Sequence, residues 1–183
     1  MRARPIPDLD GLASTRSQVG VVLGTRLDEM LELAPRALDP CAEEPLHDLR
    51  IAGKRLRYAL ESLAFCLPPW SAEIIDQLKE VQARLGDIHD LDVGMARIRR
   101  ELRRALDGLR RRARYLADHE QVAAFSRELH DGEASGLVHL LDLLHERRAL
   151  RHAEFVLFWH ELAATGFAER VQTLWTRDDV DAT

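Results

Sequence analysis

The chain has 183 residues, a length that suits one domain with a substantial core. Aromatic residues make up only 5% of the sequence, and Leu, Ala, Arg and Glu dominate it, so the composition favours helices over sheets. The formal net charge of −5 excludes a molecule that attracts anions over its whole surface, so any basic site must be local.

The sequence predicts a location in the cytoplasm. No apolar run approaches the roughly 20 residues of a membrane-spanning helix, and no apolar stretch follows the arginines of Met1–Pro7, so we expect no secretory signal. Cys41 and Cys66 flank a predicted helix and are separated by about 30 Å at 1.5 Å per residue, beyond disulfide reach. Two thiols that cannot pair fit a reducing compartment.

The first half of the chain predicts two helices. Apolar residues at three- and four-residue steps indicate a helix over residues 8–35. Pro35 and Pro40 bracket a connector, and a second helix over Leu46–Leu67 ends at Pro68.

The second half predicts two long helices and two short ones. A near-heptad apolar rhythm from Ile74 to Leu116 indicates a long third helix, and Val122–Leu129 indicates a short one. A last long helix runs from about Ala134 to Thr165 with Gly166 as its C′ residue, and Phe167–Trp175 forms a short closing helix.

We therefore predict an all-α fold, an antiparallel bundle of four long helices with short additional helices. Residues 1–183 form a single domain with a core over about 8–175, and residues 176–183 form an acidic tail.

The helix Leu46–Leu67 has two different faces. Its leucines gather on one side, and a neighbouring side carries His47, Arg50, Lys54 and Arg57 at i, i+3, i+7 and i+10. We call these four residues the basic row. A solvated helix face normally intersperses acids with bases, and such a face is the alternative interpretation. Because the row lacks interspersed acids, we expect it to bind an anion, best an extended polyanion.

Three segments carry a resemblance to a known family. The motif H-x-x-R-x-x-x-K-R-L-R-Y at His47–Tyr58 resembles the signature of the CHAD family, the histidine α-helical domains. Leu85–Val93 (LGDIHDLDV) is similar to a second element of that family, and Gly136–Trp159 contains a third. The resemblance covers most of Leu46–Leu174. It implies a helical bundle that binds inorganic polyphosphate through basic side chains, without a reaction of its own.

Two departures from the family pattern qualify the resemblance. A full CHAD domain has two four-helix halves, each with its own signature, whereas this chain carries one, similar to the C-terminal half. A second copy could supply the missing half, so we expect a homodimer. The other departure is His89, where the family often has arginine or another polar residue, and its role is left open.

Two arginines lie on the apolar line of the last long helix. A buried guanidinium needs a partner, so either Arg148 and Arg151 reach acids such as Asp90 or Asp92, or this line faces an anion pocket. We favour the pocket, because the second helix offers bases and few acids. Arg55 and Arg84 are secondary candidates, and contact by Arg97, Arg100 and Arg104 is left open. The candidate polyphosphate-binding residues are His47, Arg50, Lys54, Arg55, Arg57, Arg84, Arg148 and Arg151.

The sequence gives no sign of catalysis, a cofactor or a metal. It lacks a Walker loop, a nucleophile elbow and a carboxylate cluster suited to magnesium, and its eight histidines show no ligand spacing. We therefore expect a non-enzymatic binding protein in the cytoplasm, associated with polyphosphate granules. The alternatives are a module that binds nucleic-acid backbone, or an arginine-rich protein-interaction module.

Overall fold

The computed structural model describes residues 2–7, 13–41 and 43–176, and all of its regular structure within these residues is helical. Four helices are long, two are short, and a 3-10 turn at Ala64–Cys66 follows the second. The α-helices are α1 (Thr15–Ala37), α2 (Glu43–Leu63), α3 (Ser71–Ala113), α4 (His119–Asp131), α5 (Glu133–Ala164) and α6 (Phe167–Thr176). The predicted all-α class is confirmed. The antiparallel arrangement of all four long helices stays a prediction.

Polar caps and one glycine define several helix ends. Ser14 Oγ accepts a hydrogen bond from the Ser17 amide at 3.2 Å and starts α1, and Asp118 Oδ1 accepts one from Gln121 at 2.8 Å and starts α4. Gly166 follows α5 with φ of 70°, the left-handed conformation predicted for a C′ residue.

The structure differs from the sequence prediction at two boundaries. The first helix continues through Pro35 to Ala37, because a proline in the last turn removes only one intrahelical hydrogen bond and burial of Ala34 and Ala37 holds that turn. The second helix begins at Glu43 instead of Leu46 and gives way to the 3-10 turn after Leu63. The predicted start of the first helix at 8–12 and most of the acidic tail (177–183) lie outside the described residues.

The chain divides into two compact units. The first contains the residues up to His89 and those from Arg151 onward, and the second is Asp90–Leu150. The single domain over 1–183 stays a prediction. None of the described helices has the length and apolar character needed to cross a membrane.

The first unit holds a continuous hydrophobic core. Fully buried side chains come from α1, α2, α6 and the portions of α3 and α5 within this unit, among them Leu23, Leu27, Leu56, Leu60, Ile74, Leu78, Phe155 and Val171. A short connector joins α1 to α2, and the two helices form a hairpin. A Cβ at Gly53 would lie 3.7 Å from Met30 Cε, so the two helices approach closely there. The described apolar side chains that are buried in the second unit are Met95, Ala134 and Leu141.

Two glycines of α1 lie against Trp175 of α6 and provide a test of this packing. A Cβ added at Gly20 would lie 2.7 Å from Trp175 Cδ1, whereas one added at Gly24 would lie 3.7 Å from Trp175 Cζ2, an ordinary contact. We expect Gly20→Ala to lower the free energy of unfolding by about 1 kcal/mol, since overpacking outweighs the gain in helix propensity.

The matched variant Gly24→Ala should instead raise the free energy of unfolding by up to about 1 kcal/mol, because alanine favours the helix and meets no clash. Urea unfolding of both variants measures the difference. Equal stabilisation by the two substitutions would show that Trp175 is not held against Gly20.

Candidate anion-binding groove

The two faces of α2 position the basic row. Leu46, Leu49, Leu56 and Leu60 are buried in the core of the first unit and fix the rotation of the helix. His47 and Lys54 are therefore exposed, and Arg50 and Arg57 are partly exposed. The row needs no other element to form, because helix periodicity places all four residues on one face.

A groove of about 350 Å³ lies along this face, between α2 and α3. From α2, Arg50, Lys54, Arg57 and Tyr58 line it, and from α3 come Lys79, Gln82 and Ala83. We call it the α2/α3 groove. Four of the seven lining residues are cationic, and none of these seven described residues is acidic. The groove is therefore a local concentration of positive charge on a chain whose net charge is −5.

Several donors in the groove are available to a ligand. Arg50 and Lys54 form no ion pair with any acidic residue in the described part of the chain. The Arg57 Nε and Gln82 Nε2 atoms are buried, and neither has a hydrogen-bond partner among the described residues. Buried polar groups are normally satisfied, so a ligand with acceptor oxygens would complete this arrangement.

Tyr58 holds two of the cations. The Arg57 guanidinium lies 4.7 Å from the centre of the Tyr58 ring, and Lys54 Nζ lies 5.5 Å from it. Arg57 also contacts Glu61 one turn along at 2.8 Å, and Lys79 contacts Asp76 at 2.8 Å. The carboxylates of Glu61 and Asp76 are 36% and 72% exposed, so a polyanion can replace them at small cost.

His47 of the basic row meets His89 of α3. The centres of the two imidazole rings are 5.3 Å apart and the ring planes are tilted by 40°. His89 is partly exposed, so both rings are accessible from solvent. The structure thus places His89, whose role the sequence left open, beside the first residue of the basic row.

Arg55 is held on another face of α2 by a buried carboxylate. Its Nη1 lies 2.5 Å from Glu29 Oε1, and Arg26 Nη1 lies 2.9 Å from Glu29 Oε2. Glu29 is 2% exposed and also accepts a hydrogen bond from the Arg4 backbone amide at 3.2 Å. The structure thus gives Arg55 a partner in the fold, and it does not line the groove.

Arg84 and Arg151 lie together in a separate cavity of about 210 Å³, whose lining also includes Glu80, Asp87 and Glu154. Arg84 contacts Glu80 and Arg151 contacts Glu154, at 2.8 and 2.7 Å. The hydrogen bond with Glu154 and that residue's charge raise the pKa of Arg151; desolvation opposes this, and the charge of Asp87 adds to it. Three acids offset two arginines here, so this cavity attracts anions less strongly than the groove.

In the second unit, Arg148 has an acidic partner. It is 8% exposed, and its Nε lies 2.6 Å from Asp92 Oδ1. The sequence left two alternatives for this buried guanidinium, an acidic partner or an anion pocket. The structure shows the acidic partner, so the burial of Arg148 does not require the anion pocket that we favoured. Arg97, Arg100 and Arg104 are exposed in the same unit, and Arg104 contacts Glu101 at 2.8 Å.

Sequence reasoning missed Lys79 and Gln82 as groove residues. A signal for them was present in the short connector between α2 and α3, which turns the chain back and places the start of α3 beside the end of α2.

Within the described residues, no three His, Cys, Asp or Glu side chains cluster as metal ligands would.

Comparison with known proteins agrees with the first two resembling segments. The family model described as the CHAD domain matches residues 4–99, more than half of the chain. The match includes the basic row, the α3 side of the groove and Leu85–Val93, and it ends before the third resembling segment at Gly136–Trp159. No curated protein and no solved structure matches the chain. The match over residues 4–99 shows that the chain belongs to the CHAD family.

Proposed function

We propose that this protein binds inorganic polyphosphate in the α2/α3 groove, with Arg50, Lys54 and Arg57 as the main contacts and His47 continuing the row. CHAD domains in general bind polyphosphate and act as binding modules. The observation that carries the proposal is the groove lining, which has four cationic side chains, no acid among its described residues, and donors that lack a partner.

The geometry of the row suits a linear polyanion better than a single phosphate. Successive turns of a helix repeat at about 5.4 Å, so side chains one turn apart meet successive stretches of an extended chain. Arginine adds planar donor forks that match phosphate oxygens. A row of such donors recognises the charge and spacing of the phosphates. Because all phosphates in the polymer are identical, the site needs no means of reading a sequence.

The four remaining candidates are proposed as weaker contributors. Arg84 and Arg151 share their cavity with three acids, Arg55 is held by Glu29, and Arg148 contacts Asp92. Each would have to exchange a protein carboxylate for a phosphate. Because these carboxylates offset the charges of the four arginines, we expect them to add little to the attraction of an anion.

The remaining parts of the proposal concern assembly and location. We propose that a second copy of the chain supplies the second signature and so completes a two-bundle arrangement. We also propose that the protein works in the cytoplasm, where it associates with polyphosphate granules, and that it binds without catalysing a reaction.

Calorimetric titration with long-chain polyphosphate at two salt concentrations tests the binding. Four groove cations that displace counterions predict a slope of about −3 for log K against log salt. Raising the salt from 50 to 200 mM should therefore weaken binding about 60-fold. Orthophosphate at the same total phosphate concentration is the control and should bind far more weakly. A folded protein that shows no heat of binding at low salt would refute the proposed function.

Nucleic acid is the competing ligand, and one observation bears on it. Tyr58 is 47% exposed beside the row, but Arg57 and Lys54 both lie against its ring. A base would have to displace these cations to stack there, whereas a phosphate chain would not. In competition, polyphosphate should displace single-stranded RNA at low concentration. The reverse result would favour the nucleic-acid module.

A further inference from the structure

Helix α3 carries a row of residues that matches the basic row in spacing. On α2, His47, Arg50, Lys54 and Arg57 follow one another at steps of three, four and three residues. On α3, the same steps give Lys79, Gln82, Gly86 and His89. Such spacing places each set along one face of its helix. Lys79 and Gln82 already line the α2/α3 groove.

Contacts at the two ends fix how these faces meet. His47 at the start of the basic row lies against His89, with ring centres 5.3 Å apart. Arg57 at the other end shares the groove lining with Lys79 and Gln82. The residue numbers rise on α2 as they fall on α3, so the two helices are antiparallel along this face. By this register, Gly86 lies between Gln82 and His89, opposite the stretch around Arg50.

Gly86 leaves the space between the two ends open. A Cβ added at this glycine would meet no heavy atom of the described residues within 4 Å. No side chain of Gly86 therefore fills the space between the groove and the histidine pair. Any larger side chain at this position would project into that space.

We propose that the α2/α3 groove continues over Gly86 to the His47–His89 pair, and that His89 is a phosphate-contacting residue of the same site. This inference rests on the proposed function. Each imidazole offers an N–H donor to a phosphate oxygen in either its neutral or its protonated form. The row from His47 to Arg57 spans about 15 Å at 1.5 Å per residue. The full site therefore favours polyphosphate that is long enough to reach from Lys79 to the two histidines.

A polyphosphate length series tests this extension. Affinities for defined chains, from triphosphate upward, are measured by calorimetry for the wild type, His89→Ala and Gly86→Leu. We expect triphosphate to bind all three proteins equally. Chains that span the full row should bind each variant about tenfold more weakly than the wild type, because one hydrogen bond to a charged group is lost or blocked.

Matched controls are available on α3 and α5. Gly94 of α3 also has open space at its Cβ position, so Gly94→Leu makes the same chemical change at a residue that does not line the groove. His160 of α5 is exposed, so His160→Ala removes an imidazole elsewhere. Both controls should keep the wild-type length dependence. Circular dichroism and urea unfolding check the fold of each variant, and His89→Ala still tests the inference if Gly86→Leu fails to fold.

The outcomes separate this inference from the proposed function. If the wild type binds no polyphosphate of any length, the proposed function fails and this extension fails with it. If the wild type binds and His89→Ala has the same length dependence, the groove ends near Arg50, and only the extension is overturned. A loss that appears for long chains alone supports both.

Discussion

Replacing Arg50 and Lys54 together by alanine is expected to weaken polyphosphate binding by about 100-fold or more at low salt, with no large change in stability. A hydrogen bond to a charged group contributes about 1.5–3 kcal/mol, and each 1.4 kcal/mol is tenfold in affinity. Both residues line the groove, and neither pairs with an acid among the described residues. Their removal therefore leaves no described carboxylate unpaired in the protein.

The measurement is calorimetric titration of wild type and double variant with long-chain polyphosphate at two salt concentrations. The control is Arg127→Ala/Arg147→Ala, which removes two positive charges from exposed positions of α4 and α5. The control protein should bind within about threefold of the wild type, because neither residue lines the groove and exposed charges are screened by salt. The slope of log K against log salt should also decrease in the groove variant.

Equal losses in the two double variants would mean that polyphosphate responds to total charge rather than to the groove. Arg50 and Lys54 would then contribute no more to binding than any other two exposed cations. Unchanged binding in the groove variant would favour the protein-interaction module, in which these side chains contact acids on another protein.

The helices could be predicted from the sequence because their signals are local. Apolar periodicity and the Gly166 end signal depend on neighbouring residues, and φ of 70° at Gly166 confirms that end signal. The basic row is local in the same sense, since one helix places all four of its residues on one face. Pro35 misled the prediction because the burial of Ala34 and Ala37, a tertiary effect, outweighs the local preference.

Contacts between helices could not be predicted in the same way. Arg55 and Glu29 are 26 residues apart, and their ion pair depends on how α1 and α2 are rotated and aligned. The sequence offered Arg55 as a secondary ligand contact, beside the basic row on the same helix. Likewise, the need of Arg148 for a partner was clear from its place on an apolar line. The sequence also named Asp90 and Asp92 as possible acidic partners, and the structure selects Asp92, 56 residues earlier.

Replacing Glu29 by glutamine is expected to lower the free energy of unfolding by about 3 kcal/mol, because breaking a buried ion pair leaves its partners without a compensating charge. The Glu29 side chain is 1% exposed, and those of Arg26 and Arg55 are 13% and 24% exposed. Glutamine keeps the shape of glutamate and one acceptor oxygen, so the loss of unfolding free energy measures the contribution of the negative charge. The midpoint of urea unfolding should fall with no change in its slope.

Glu32 provides the matched control on the same helix. It pairs with Arg4, but its side chain is 65% exposed, so Glu32→Gln should change the free energy of unfolding by less than about 0.5 kcal/mol. A similar loss in both variants would mean that the burial of Glu29 adds nothing to its ion pairs. Polyphosphate binding by folded Glu29→Gln should stay within about threefold of the wild type, because Glu29 does not line the groove.

A double-mutant cycle with Arg55 tests whether this arginine serves the fold. Arg55→Ala alone should destabilise the protein, since it leaves Glu29 with one fewer cation at 1% exposure. In the Glu29→Gln background the same change should cost less, by about 1–2 kcal/mol, because the interaction is already absent. Additive losses would contradict the ion pair. Coupled losses without a loss of polyphosphate affinity would separate Arg55, which stabilises α1 against α2, from the basic row beside it on the same helix.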